Sequence, residues 1–267
     1  MLLAVDVGNT NVKLGVYDGQ RMVASWRLTT RREQTADEYG VFTRTMLRSH
    51  GLEPSNVTDV AISSTVPAVQ RTMEEMARRY FGATPFVVDP GVNVDLAMRV
   101  DYPREVGPDR VVKVIAAVEL YGPPLIIIDF GTATTFECVS TRGEFIGGAI
   151  APGIATAAEA LTARAARLFR VDLTRPPSAI GLNTVTNIQS GIVYGYAGLV
   201  DGLVDRMRHE MGGTPRVVAT GGLVGLMDGL TRAIDVVNPH LTLEGLRIAC
   251  ARNRRAPPGD AHRDPPA

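Results

Sequence analysis

Leu2-Leu3-Ala4-Val5 is a continuous apolar run that stops at Asp6, and Leu125-Ile126-Ile127-Ile128 is a second that stops at Asp129. A short unbroken run bounded by turn residues predicts a buried strand. Both runs continue as Asp-x-Gly and then small amide or hydroxyl residues: Asp6-Val7-Gly8-Asn9-Thr10-Asn11 and Asp129-Phe130-Gly131-Thr132-Ala133-Thr134. Half a chain separates them. A strand-to-turn element that recurs at that distance predicts two similar domains facing each other, with a polyanion held between.

Around these runs the periodicity alternates between two and helical. Val12, Leu14 and Val16 interleave with Asn11, Lys13 and Gly15, which predicts a strand over 11–17. Asp18-Gly19 is a tight-turn pair, and 21–28 reads as a third strand. Tyr39, Phe42, Met46 and Leu47 recur near helical spacing within 35–51, with Gly51 as the stop. A strand at 57–63, a helix at 68–80 and a strand at 84–88 follow. The second half repeats the theme, with strands at 125–129, 134–139 and 143–150, helices at 155–167 and 187–211, and a strand at 216–220. Between the halves, 100–110 is rich in Pro, Gly and charge and leads into an amphipathic helix at 109–121. The order βββαβα is that of the ribonuclease-H-like unit of actin-type folds. The expected architecture is therefore α/β, with duplicated βββαβα domains at 1–115 and 116–252 on either side of a cleft. The Arg/Pro-rich stretch 253–267 is expected to be a disordered tail.

The 267 residues suffice for two modest domains, and 45% hydrophobic with 21% charged residues is ordinary for a globular chain. Net charge is zero, so no broad basic surface for nucleic acid is expected, and a substrate's charge must be met locally. Cys138 and Cys250 are the only cysteines, too few for a disulfide framework. Cys138 falls in an expected strand with no His nearby, which reads as a core or edge thiol rather than a nucleophile. The four His residues lack metal-ligand spacing. The chain starts directly in a strand with no basic lead, and no apolar run approaches membrane-spanning length, so a cytoplasmic protein without membrane contact is expected.

Several segments carry candidate chemistry. Asp6 puts a carboxylate at a strand mouth, Gly8 permits a positive-φ turn, and Lys13 is the nearest cation; this is either a phosphate cradle or a satisfied hairpin turn. Thr132 and Thr134 supply hydroxyls in the second copy. In Gly107-Pro108-Asp109-Arg110, Pro108 suits a first helical position. Asp109 then either offsets the helix dipole or serves as general base, with Arg110 holding a carboxylate or hydroxyl. The small-residue segment 147–153 is a packing crossover or a substrate wall. Thr220-Gly221-Gly222 could underlie an adenine ring.

Together, Asp6-x-Gly8-Asn9-Thr10, Gly107-x-Asp109-Arg110, Asp129-x-Gly131-Thr132-Ala133-Thr134, Gly147-Gly148-x-Ile150-x-Pro152-Gly153, Gly181-x-Asn183-Thr184 and Thr220-Gly221-Gly222 resemble the type III pantothenate kinases in order and spacing. The resemblance runs over nearly the whole chain. It implies a homodimer of two-domain subunits of the acetate-kinase/sugar-kinase/chaperone/actin superfamily. It also implies ATP-dependent phosphorylation of pantothenate, the first step toward coenzyme A, with a monovalent cation, potassium or ammonium. Residue by residue, it implies that Asp6, Val7, Gly8, Asn9, Thr10, Asn11, Val12 and Lys13 bind ATP phosphates, with Asp6 placing Mg²⁺ through water. Gly107, Pro108, Asp109 and Arg110 would contact pantothenate, with Asp109 as base. Asp129 would ligate the monovalent cation, Thr132 would contact ATP, and Thr184 would contact pantothenate from across the dimer interface. The family often carries an aromatic residue where this chain has Val100, and Tyr102 would fill that space. Lys113 stands where Asn is common, and Pro108 replaces a commoner small residue. Rival readings are a nucleotide-binding transcriptional accessory protein of the same fold, an actin-like filament protein, and a sugar or acetate kinase.

Overall fold

A computed structural model describes residues 1–255. Two five-stranded mixed sheets carry the fold. The first consists of β1 (Leu2–Val7), β2 (Asn11–Asp18), β3 (Arg21–Thr29), β4 (Asp59–Ser64) and β5 (Phe86–Val87), in the order β3-β2-β1-β4-β5. The second consists of β6 (Leu125–Phe130), β7 (Ala133–Val139), β8 (Phe145–Pro152), β9 (Arg216–Thr220) and β10 (Val236–Val237), in the order β10-β9-β6-β7-β8. In each, the first strand pairs antiparallel with the next and parallel with the fourth. The expected duplication is present down to strand order.

The first sheet buries alternate residues on opposite faces, as a period of two requires. Leu3, Val5 and Val7 pack with Leu47 of α1 (Ala36–Ser49) and with Met73 and Met76 of α2 (Pro67–Phe81). Ala4 and Ala61 turn the other way, towards Val112 of α3 (Pro108–Tyr121) and Leu243, Leu246 and Cys250 of α6 (Leu241–Arg255). By the same alternation Asp6 lies on the Ala4 face. In the second sheet Ile126, Ile128 and Phe130 face a core built with Ile154 of α4 (Ile154–Arg164) and Val193, Val200 and Val204 of α5 (Thr184–Met211). Asp129 therefore lies on the opposite face.

The helix starts are set locally. Thr35 caps α1 in a reciprocal box with Glu38, whose carboxylate these hydrogen bonds hold below the usual carboxylate range. Asn183 caps α5 in the same way with Thr186.

The chain divides into two compact units, and the division corrects the expected boundaries. One unit comprises 1–96, 104–115 and the chain from Thr242 onward; the other comprises 97–103 and 116–241. The expected second domain, 116–252, thus loses α6, which buries its apolar side with Tyr17 and Val112 in the first unit. Residues 97–103 join the second unit because Ala97 and Arg99 bond the backbone of Phe145 and Arg99 pairs with Glu144 at 2.9 Å. Of the expected tail, 253–255 end α6, and 256–267 lie outside the described residues. The helix expected over 155–167 stops at Arg164, and that over 187–211 begins one turn earlier, at its Asn183 cap.

Candidate active site

The two Asp-x-Gly turns are built alike. Asp6 sits opposite Lys13 across β1–β2, with Nζ 3.6 Å from Oδ2, and beside Ser63 of β4. Asp129 sits opposite Thr135 of β7 and beside Thr220 of β9. In the first copy the Val7 carbonyl accepts from the Thr65 amide (3.0 Å), and the Gly8 carbonyl accepts from the Thr30 hydroxyl (2.7 Å). In the second, the Phe130 carbonyl accepts from the Leu223 amide, and the Thr132 carbonyl from the Gly153 amide and the Thr156 hydroxyl. Each turn is thus pinned from both sides by the segments leaving its neighbouring strands.

The reason for glycine in these turns differs from the expected one. Gly8 does not take a positive φ, and its N–H is spent on the Asn11 carbonyl at 3.0 Å. A Cβ there would lie 3.2 Å from that same oxygen, so glycine serves close approach. Gly131 behaves alike, donating to the Ala133 carbonyl at 3.1 Å. Gly221 does need its φ of +103°, and a Cβ there would sit 2.6 Å from Asp129 Oδ1. Asn9, Thr10 and Thr132 are exposed at the turns, Asn11 and Lys13 are half-buried, and Val7 and Val12 are core residues of the strand ends.

Buried hydroxyls surround both carboxylates. Among the described residues, Ser63 Oγ next to Asp6, and Thr135 Oγ1 and Thr220 Oγ1 next to Asp129, have no hydrogen-bond partner. Such groups are costly unless something satisfies them. A cation with oxygen preference fits this donor set of one carboxylate and neighbouring hydroxyls.

Gly107 accepts, through its carbonyl, from the amides of Arg110 (3.0 Å) and Val111 (3.2 Å) as α3 begins. Pro108 opens the helix, where its missing N–H costs nothing. Asp109 follows, 27% exposed at its side chain, with Oδ2 accepting from Lys113 Nζ at 3.2 Å. Arg110 is half-buried beside it in sequence.

Thr184 is exposed at the first turn of α5, flanked by Leu182 and Val185, both also exposed. Tyr102 is 68% exposed just ahead of a short 3₁₀ turn at Pro103–Glu105. Two of the glycines in 147–153 satisfy the packing reading: a Cβ on Gly148 would strike the Phe136 carbonyl at 1.7 Å, and one on Gly153 the Thr132 carbonyl at 2.3 Å, whereas Gly147 meets nothing within 4 Å and serves its φ of +112°. A cavity of about 500 Å³ lies just past the Gly221-Gly222 turn, lined by Val224, Met227, Asp228, Thr231 and Val236 among others.

Cys138 is a core thiol, as expected. Burial, with the nearby Glu137 and Glu210, pushes it up to about 11, and burial raises Cys250 as well. At pH 8 only about 10⁻³ of such a thiol is ionised. Native protein is expected to resist iodoacetamide at pH 8, with both thiols labelling only in denaturant; rapid native labelling, read by mass spectrometry, would contradict this burial.

Duplicated mixed sheets of identical order, each ending its first strand in a pinned carboxylate turn, define an actin-like two-domain protein. Solved structures share the fold. One is a Campylobacter jejuni protein assigned to the Baf family of transcriptional activators, with TM-score 0.62, 16% identity, and coverage of 95% of this chain and 100% of that one. Another is the activator of 2-hydroxyisocaproyl-CoA dehydratase from Clostridium difficile with bound ADPNP, at TM-score 0.52, 11% identity, and coverage of 97% and 99%. A family profile described as type III pantothenate kinase matches residues 2–206. A type III pantothenate kinase of Anaeromyxobacter sp. (strain Fw109-5) is 52% identical over 254 residues, covering 95% of this chain and all of that one. That of Moorella thermoacetica is 51% identical over 253 residues with the same coverage. The chain belongs to the type III pantothenate kinase family, and it is a kinase.

Proposed function

We propose that the chain transfers the γ-phosphoryl group of ATP to the primary hydroxyl of pantothenate, giving 4'-phosphopantothenate for coenzyme A synthesis, with Asp109 as the base. The observation that carries the assignment of the base is a partly exposed carboxylate at the head of α3 whose second oxygen is fixed by Lys113 at 3.2 Å. As the acceptor oxygen bonds to the γ-phosphorus and the bridging oxygen departs with ADP, the hydroxyl proton passes to Asp109. An alcohol needs no prior deprotonation for this, only an acceptor within reach as the bond forms. Gly107, Pro108 and Arg110 complete the pantothenate contact, with the Arg110 guanidinium suited to the substrate carboxylate. Tyr102 supplies the pocket aromatic that Val100 does not.

The turn from Asp6 to Lys13, including Val7, Gly8, Asn9, Thr10, Asn11 and Val12, binds the ATP phosphates, and Thr132 contacts ATP from the second turn. Asp6 holds Mg²⁺ through water, and the orphaned Ser63 hydroxyl beside it supports a hydrated ion there. Asp129 holds a monovalent cation, potassium or ammonium, and the unpartnered hydroxyls of Thr135 and Thr220 support that donor set. Bound cations supply the positive potential that phosphoryl transfer needs and that a chain of zero net charge lacks overall.

The subunits pair as a homodimer, with Thr184 reaching pantothenate across the interface. Exposed Ile180, Leu182 and Val185 around Thr184 support an apolar contact surface there. Sedimentation should give twice the chain mass, and a monomer at micromolar concentration would contradict the pairing. Reduced, buried cysteines support a cytoplasmic location. No helix among the described residues is long and apolar enough to cross a membrane, and the absence of a nucleic-acid partner is supported by the neutral net charge. Incubation with ATP and pantothenate should yield one phosphorylated product by mass spectrometry. Unreacted pantothenate alongside bound nucleotide would favour the regulatory alternative.

A further inference from the structure

Lys113 is the one lysine of the buried set, fully excluded from solvent among the described residues. It sits on a helix whose flanking residues Val111, Val112, Val114, Ile115, Ala116 and Ala117 are all at most 1% exposed. An ammonium in such surroundings is costly to keep unless it is paired. Its Nζ lies 3.2 Å from Asp109 Oδ2, one helical turn away, in the favourable order with the acid N-terminal to the base. Asp109 Oδ1 lies so close to Gly107 that a Cβ there would approach it to 2.7 Å. The carboxylate is thus held on Oδ2 by a buried lysine, and the missing Cβ of Gly107 leaves the room that Oδ1 occupies.

We propose that Lys113 is a positioning residue for phosphoryl transfer: it fixes the rotamer of Asp109 so that Oδ1, and not Oδ2, receives the hydroxyl proton. The proposal rests on Asp109 being the base. Oδ2 already accepts from the Lys113 amine, which occupies one of its two acceptor positions and lowers its basicity. Oδ1 is the oxygen left more open to the acceptor alcohol. In the step, the substrate O–H breaks as its oxygen bonds to the γ-phosphorus, the bond to the bridging oxygen breaks, ADP leaves, and Oδ1 carries the proton. Holding a base to within a fraction of an ångström matters because a displacement of ~1 Å costs about 10²-fold in rate.

The test is a double-mutant cycle in kcat on the full chain, using Asp109→Asn, Lys113→Met and both together. Lys113→Met should lower kcat about 10²-fold with KM for ATP within a factor of about two. In the Asp109→Asn background the same change should have almost no further effect, because a residue that acts through Asp109 has nothing left to position. A merely structural lysine would lower both backgrounds equally, and that result overturns the proposal. So does Lys113→Met turnover at the wild-type rate. Asp109→Asn turnover at the wild-type rate instead removes Asp109 as base, a failure separate from that of Lys113. Should Lys113→Met fail to fold by circular dichroism, Lys113→Gln replaces it. Its neutral donor keeps a hydrogen bond to Oδ2, so it should recover part of the lost kcat in the wild-type background and none in Asp109→Asn; a Gln variant as slow as Asp109→Asn contradicts positioning by that bond.

Discussion

Asp109→Asn should lower kcat by roughly 10²–10⁴-fold, the usual worth of a well-placed general base, while nucleotide binding survives. Asparagine keeps the shape of the side chain and a carbonyl oxygen for Lys113, so α3 should hold its packing. What it loses is the ability to take a proton. Because the phosphate-binding residues proposed here lie on the turns after Asp6 and Asp129, the affinity for ATP measured by calorimetry should stay within a few-fold. Steady-state kinetics with pantothenate should then show the loss in kcat, with the same loss in kcat/KM if the proton acceptor acts only in the transition state. Wild-type turnover would leave Asp109 with the lesser task of offsetting the helix dipole.

The second large effect is on stability. Gly245 of α6 lies against α3 so closely that a Cβ would fall 1.9 Å from the Val112 carbonyl oxygen. The obstacle is backbone, which cannot swing aside as a side chain can. Gly245→Ala must push α6 off the cluster of Tyr17, Val112, Leu243 and Leu246. Overpacking of this kind costs roughly 3 kcal/mol, equivalent to a fall in Tm of roughly 6–12 °C. Calorimetry checks it directly. The glycines at 191, 195 and 198 of α5 meet nothing within 4 Å and provide the contrast: alanine at Gly195 should not lower Tm in the isolated chain, since it adds helix propensity without a clash. An unchanged Tm for Gly245→Ala would contradict the α3–α6 contact.

Much of this fold was legible because its signals are local. The unbroken runs before Asp6 and Asp129 mark strands buried on both faces, and the spacing of Tyr39, Phe42, Met46 and Leu47 with Gly51 behind them marks α1. The duplicated strand order follows from the same two runs. What escaped the sequence depends on partners distant in the chain. In α6, Leu243, Leu246 and Cys250 are interrupted by Gly245 and Arg247, and their burial is decided by Val112 and Tyr17. The assignment of α6 to the first unit is invisible for that reason. The two residues of β10 are too few for any periodicity.

The candidate site divides the same way. That Asp109 heads a helix could be read from Pro108 and the apolar spacing behind it. The four-residue interval to Lys113 could be read too, but not the complete burial that turns an ordinary surface pairing into a fixed one. At Gly8 the expected positive φ was wrong for an instructive reason. Glycine is chosen there for the room its missing Cβ leaves beside Asn11, a distance set by how β2 returns, which no dipeptide pattern encodes.

The most direct test of the central claim is ADP release by the purified full chain, followed in a coupled assay with pantothenate present or withheld, and with potassium present or replaced by a large organic cation. The expected result is turnover that needs both pantothenate and potassium. ADP release at the same rate without pantothenate, or none under any of these conditions from folded, nucleotide-binding protein, would contradict it.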